Sequence, residues 1–146
     1  MPAQAACSLC SDAGGALVFE NALLRVVLVD DDDLPGFVRV IVNQHAREMT
    51  DLGPSARFAL LAAVLTVEEV QRQVFSPLKV NLASLGNAVA HVHWHVIPRF
   101  ADDAFYPQPI WGARQRETPA HVLAARRALL PSLTEQLKAR LASLAG

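Results

Sequence analysis

The chain has 146 residues, 52% of them hydrophobic and 18% charged, with 13 Lys and Arg against 14 Asp and Glu. That length suits one domain with a sizeable core, and the apolar fraction excludes a disordered chain. The near-balance of charge leaves no basic stripe for a nucleic-acid backbone, so an anionic ligand must be held by a local site.

The opening MPAQAACSLC has no positive cluster followed by an apolar run, unlike a secretory signal. No apolar stretch is long enough to cross a bilayer, and the run from Phe58 to Val67 stops at Glu68 and Glu69. The expected compartment is the cytoplasm, where Cys7 and Cys10 stay reduced. Their C-x2-C spacing points to metal or redox chemistry rather than to a structural disulfide. A thioredoxin-like redox pair needs a preceding strand, which is missing here. Two surface thiols are the plainer alternative, and half of a tetrahedral zinc site is the third.

Residues 11–15 are turn-rich. Residues 16–20 and 23–29 read as strands on either side of Asn21, the second nearly continuous in apolar character as a buried strand should be. DDDDLP, at 30–35, reads as a solvated loop, and residues 36–42 form the next strand. A loop or short helical turn over 43–52 carries His45. Gly53-Pro54 opens a helix, because proline at the first helical position loses no needed N–H. Its amphipathic spacing runs to about Phe75, before Pro77.

Residues 78–85 are strand-like and lead into the turn signal Gly86-Asn87; residues 91–98 are a further strand. Residues 101–117 are irregular. Thr118-Pro119 starts a helical segment in which Pro131 predicts a kink or two successive helices ending by Ala145. Ser132 and Glu135 stand at capping-box spacing, which favours a fresh start there. His121 reads as solvent-facing. Strands before and after one long helix, without strict alternation, predict an α+β fold.

HVHWHVIPRF, at 91–100, places three of the five histidines at alternate positions. In a strand His91, His93 and His95 share one face, while Val92, Trp94 and Val96 take the other and pack into the core. Neighbours on such a row stand roughly 6.6 Å apart, so three cannot easily converge on one metal without further ligands. Immediately upstream, Gly86 allows an anion to approach backbone N–H groups, and Asn87 is either a simple turn residue or an amide donor to a phosphate oxygen.

G-N-x-V-x-H-x-H-x-H-x-I-P-R, at 86–99, resembles the signature of the histidine triad (HIT) family of nucleotide hydrolases and transferases. The order around it is similar too: P-G-F-x-R-V, N-x-H, E-M-x-D-L at 48–52, the long helix, then K-x-N-L at 79–82. The resemblance spans Cys7 to about Trp111 and is greatest to short bacterial diadenosine polyphosphate hydrolase-like members. It implies one HIT-like domain over 1–146, with a cysteine-bearing segment at 1–15, an antiparallel meander sheet, one long helix and C-terminal helices at 118–145. It also implies a homodimer whose sheet continues across the interface.

By that resemblance His93 attacks the phosphorus next to the nucleoside, its second ring nitrogen held by the His91 carbonyl. Neutral imidazole is a good nucleophile near pH 7, and its phosphoramidate is labile to water. His95 is expected to contact the bridging or leaving oxygen, and Asn87 with the Gly86 turn to hold the non-bridging oxygens. Family members often carry Gln at the position of Asn87 and Ser at that of Ala88; here no serine is present to protonate the leaving group. Asp30 is the expected ribose acid and Asn81 a lesser contact. Arg99 is either a phosphate contact or a salt-bridge residue.

The resemblance adds His45 and His91 to Cys7 and Cys10 as ligands of a structural zinc, although His45 also reads as a turn residue. The implied reaction acts on an adenosine or guanosine compound, with dinucleoside polyphosphates ahead of phosphoramidates and no catalytic metal. The rival readings are a metallohydrolase using the histidine row as ligands and a non-catalytic nucleotide-binding regulatory module.

Overall fold

A computed structural model of the chain describes residues 6–144, so residues 1–5 and the expected helix end at Ala145 lie outside the described residues. Strands β1 (Ala16–Glu20), β2 (Leu24–Leu28), β3 (Val38–Val42), β4 (Lys79–Ala83) and β5 (His93–Arg99) form one antiparallel sheet, in the order β1-β2-β3-β5-β4. A one-turn helix α1 (Ser8–Ser11) precedes it, α2 (Pro54–Phe75) links β3 to β4, and α3 (Ala120–Arg127) and α4 (Leu130–Leu144) follow. The α+β expectation holds. The meander covers β1 to β3; α2 then carries the chain past β3, so β4 becomes an edge and β5 returns between them.

Helix α2 begins as its first residues dictate, with Gly53 at the N-cap and Pro54 in the first turn. It ends where Ser76 turns left-handed at φ 46° and donates its N–H to the Arg72 carbonyl, one residue before Pro77. Leu60, Val64, Val67 and Gln71, at helical spacing, are buried against Val38, Val40 and Val96 of the sheet. The Gln71 amide donates to the carbonyls of Gly36 (2.9 Å) and Val96 (2.8 Å), pinning the helix to the start of β3 and to β5. Leu133, Leu137 and Leu141 of α4 pack into the same core.

Two sequence expectations are corrected. Strand β5 starts at His93, so His91 lies in the bend before it rather than on the strand. Of the expected kink or two successive helices the second is found, but α4 starts at Leu130, two residues ahead of the supposed cap at Ser132. Proline is tolerated in a first helical turn, so Pro131 sits just inside the start, and the Ser132 hydroxyl instead accepts from Gln136 at 3.0 Å.

Both faces of the sheet are covered near β2, where Leu24, Arg25, Val26 and Val27 are all buried. Val26 joins the helix-side core, whereas Val27 and Ile41 pack against Cys7 and Leu9 on the other face. Arg25 binds this N-terminal segment to the sheet by donating to the carbonyls of Leu9 (2.7 Å), Ala13 (2.9 Å) and Asp12 (3.1 Å). Among the described residues no helix is long and apolar enough to cross a membrane.

Gly36 has φ +91°, and a Cβ there would lie 2.6 Å from the Phe75 ring. Gly36→Ala is therefore expected to cost about 2–4 kcal/mol from strain and overpacking together, read as a lowered midpoint in chemical denaturation.

Candidate active site and adjoining metal centre

The face of the sheet turned away from α2 carries a cleft of about 600 Å³, lined in part by His93, His95, Arg39, Asn87, Asp12 and Trp111. Register explains the grouping. In the antiparallel pair β3–β5, Ile41 stands opposite His93 and Arg39 opposite His95, so these side chains share one face. The loop 85–89 borders His93, and the N-terminal segment supplies Ser8, Leu9, Asp12 and Gly14 as the facing wall.

The His93 ring donates from Nδ1 to the His91 carbonyl at 2.6 Å, which leaves Nε2 as its lone-pair nitrogen. The His93 carbonyl accepts from the Ser84 hydroxyl at 2.8 Å, tying β5 to the end of β4. His95 packs edge-on against His93 (4.9 Å between centroids), Trp111 (5.1 Å) and Phe37 (5.5 Å). Burial first, then the neighbouring His93 and the Arg39 cation, push its pKa down from 6.5 to about 4. His95 is thus neutral at pH 7. Its Nδ1 is buried without a partner among the described residues, which leaves Nε2 as the polar atom for the cleft. Gly86 adopts φ +75°, a conformation suited to glycine, and exposes the loop backbone beside Asn87. Val92 and Val96 enter the core as expected; Trp94 is half-buried, its indole N–H meeting Met49 Sδ at 3.4 Å.

Three expected contacts fall elsewhere. Arg99 is 2% exposed and locked in a bidentate pair with Asp103 at 2.8 and 3.0 Å. It also donates to Asn81 Oδ1 at 2.7 Å and to the Gln108 carbonyl at 2.8 Å, so it is a structural cation. Asn81 is thereby consumed as its acceptor and borders a separate groove with Lys79, Pro109 and Trp111. Asp30 is exposed in the loop after β2 and does not line the cleft; the carboxylate that does is Asp12. Arg39 and Asp12 were not singled out from the sequence. The signal for Arg39 was present, since it shares the parity of Phe37 and Ile41 on a strand that must flank the histidines.

Beside the cleft, Cys7, Cys10, His45 and His91 bring one ligand atom each to within 4.8 Å of one another. His91 Nδ1 lies 3.4 Å from Cys7 Sγ, 3.5 Å from Cys10 Sγ and 3.3 Å from His45 Nδ1, and Cys10 Sγ lies 3.3 Å from His45 Nδ1. A tetrahedral zinc with ordinary bond lengths needs edges of about 3.4 Å between nitrogens and about 3.6 Å between nitrogen and sulfur. The fit is close. The His91 Nε2–H donates to the Val42 carbonyl at 2.6 Å, so its Nδ1 lone pair faces the cluster, as a metal ligand requires. Burial foremost lowers the His91 pKa, which keeps that lone pair free.

Because the folded protein holds His95 neutral while the unfolded chain protonates it near 6.5, the unfolded state binds the extra proton on acidification. Stability is therefore expected to fall as pH drops from 6.5 toward 4 and to be indifferent to His95 above that window. Denaturant titrations at pH 7.5, 6 and 5 should give a shallower decline for His95→Gln than for the parent.

A model of the HIT domain matches residues 12–102. A bis(5'-nucleosyl)-tetraphosphatase (asymmetrical) from Schizosaccharomyces pombe is 35% identical over 91 residues, covering 58% of this chain and 50% of the relative. The chain thus spans about half the length of that curated relative. Among solved structures, a histidine triad protein from Marinobacter aquaeolei VT8 is 30% identical, with TM-score 0.67 over 86% of this chain and 92% of its own. One from Bradyrhizobium japonicum reaches TM-score 0.70 at 22% identity, over 88% and 92%. A zinc-bound histidine triad family protein from Mycobacterium smegmatis has TM-score 0.58 at 21% identity, over 96% of each chain. With the domain matched across more than half of its length and the sheet, long helix and histidine row in place, this chain belongs to the HIT family.

Proposed function

We propose that the protein is a nucleotide hydrolase or transferase that cleaves dinucleoside polyphosphates, with nucleoside phosphoramidates second, at the nucleoside-proximal phosphorus. The observation that carries this reading is the His93 ring, whose Nδ1–H is committed to the His91 carbonyl at 2.6 Å beside an open cleft. Nε2 attacks the phosphorus and forms a P–N bond as the bridging P–O bond breaks, its electron pair leaving with the polyphosphate. Water then attacks the same phosphorus, the P–N bond breaks, a proton is released and a nucleoside monophosphate departs with neutral His93 restored. In the transferase case another acceptor replaces water. The tetraphosphatase activity named for the yeast relative supports the substrate class.

Within this reading His95 donates from Nε2 to the bridging oxygen, and Asn87 with the N–H groups of the Gly86 loop holds the non-bridging oxygens. Asp12, not Asp30, becomes the carboxylate for the ribose hydroxyls of an adenosine or guanosine moiety, because it borders the cleft. Zinc is the ion proposed for the Cys7, Cys10, His45 and His91 cluster, supported by the edge lengths and by the zinc-bound relative. Four protein ligands would close its shell, so those residues would hold zinc as a brace for the N-terminal wall, with no open position for water. A cytoplasmic homodimer belongs to the same reading, with the edge strand β4 and exposed Phe58, Leu61 and Leu65 as its interface.

Mixing the protein with a dinucleoside polyphosphate, quenching without acid and weighing the intact chain should reveal a nucleotidyl adduct that His93→Ala lacks. An active parent that never carries the adduct under single-turnover conditions would replace the covalent route with direct attack by water. Metal analysis is expected to find one zinc per chain, and its chelation to lower the thermal midpoint, with recovery on reloading. A metal-free chain whose midpoint ignores added zinc would remove the ion from this reading.

A further inference from the structure

Among the described residues that line the cleft, Arg39 is the one Lys or Arg. Its cross-strand neighbour is His95, and the two side chains leave the sheet on the same face. It is half-buried, and its guanidinium lies 5.5 Å from the Phe37 ring centroid, which limits its rotation. A guanidinium carries five donor hydrogens, yet here NH1 meets the Gly14 carbonyl at 2.8 Å and no carboxylate pairs with it among the described residues. The other partly or fully buried arginines are better satisfied. Arg99 has Asp103, Arg126 has Asp102, Arg140 has Glu69, Arg25 has four oxygen acceptors, and Arg57, which also lacks a carboxylate, has the carbonyls of Leu52 and Thr50. Burial disfavours the Arg39 charge, and Asp12, the acid that shares the cleft, makes no ion pair with it among the described residues. Such a fork, fixed at one nitrogen and short of acceptors, is suited to bidentate capture of a phosphate.

The chemistry beside it points the same way. Ala88 offers no hydroxyl, the Ser8 hydroxyl that lines the cleft is a poor acid, and His95 is held neutral, so among the described residues the cleft has no strong proton donor for a leaving group. An amine must be protonated to depart from phosphorus as a neutral molecule. A polyphosphate oxygen departs as a stable anion and needs a cation rather than a proton.

We propose that Arg39 is the specificity-determining residue of the cleft, binding the first phosphate of the leaving group and so selecting polyphosphate over amine leaving groups at the scissile phosphorus. This rests on the nucleotidyl-transfer reading above, and it adds the residue and the preference.

The test uses the zinc-loaded full chain with diadenosine tetraphosphate and adenosine 5'-phosphoramidate. In Arg39→Met the ratio of kcat/KM for the first substrate to that for the second is expected to fall about 10- to 100-fold, the range of one hydrogen-bonded charge contact. Arg39→Lys should retain part of the ratio, since it keeps the charge and loses the fork, and it carries the test if the Met variant does not fold. A structural role through Gly14 would depress both substrates together; an unchanged ratio in both variants overturns the proposal. If the parent turns over neither substrate, the transfer reading fails by itself, and binding decides Arg39 separately. An ADP-to-AMP affinity ratio that drops at least tenfold in Arg39→Met then supports the phosphate contact, and an unchanged ratio overturns it.

Discussion

His91 is held at three atoms, and the site depends on that. Its Nε2–H donates to the Val42 carbonyl, its Nδ1 turns to the two cysteines and His45, and its own carbonyl accepts the His93 Nδ1–H. Each bond sets the next. The Val42 contact selects the tautomer that bares Nδ1 to the cluster, and the bend that places His91 there aims its carbonyl at His93. Position 91 therefore acts through both ring and backbone, joining the cysteine-bearing segment to the residue proposed as nucleophile.

The same segment has a second task. Residues 8–14 cover the face of the sheet opposite α2 and supply one wall of the cleft, so the four-residue cluster and the cleft share a single stretch of chain. Arg25 and Arg39 hold it through carbonyl oxygens at 9, 12, 13 and 14, not through its side chains. Such bonds tolerate substitution along the segment while keeping its path, and the two cysteines together with Leu9 supply the side-chain attachment. Loosening either anchor would widen the cleft without disturbing the helix-side core, whose valines and leucines pack independently of it.

The electrostatics of the cleft follow from its burial. His95 lies under Trp111 and Phe37 and beside a fixed arginine, which keeps it a neutral hydrogen-bonding ring rather than an acid. Charge in the cleft comes from Arg39 and Asp12, which stand on different elements and were brought together by folding. Arg99 is similar in its chemistry yet different in its fate. Asp103, four residues on, closes its fork and removes it from any ligand.

Local pattern determined much of this protein by itself. The bounds of α2 were legible because Gly53-Pro54 and Pro77 act through their own backbone limits, and β1 because its turns flank it directly. The histidine row was legible because alternation is a property of adjacent residues. The tertiary structure decided what depends on distant partners: that His91 leaves the strand for the cysteines, that Arg99 takes Asn81 as an acceptor, and that Asp12 rather than Asp30 lines the cleft. Periodicity reports which side of an element a residue takes. It does not report which charge or ligand, dozens of positions away, will meet it there, because hydrogen bonds and coordination are settled by distances that only the assembled sheet creates.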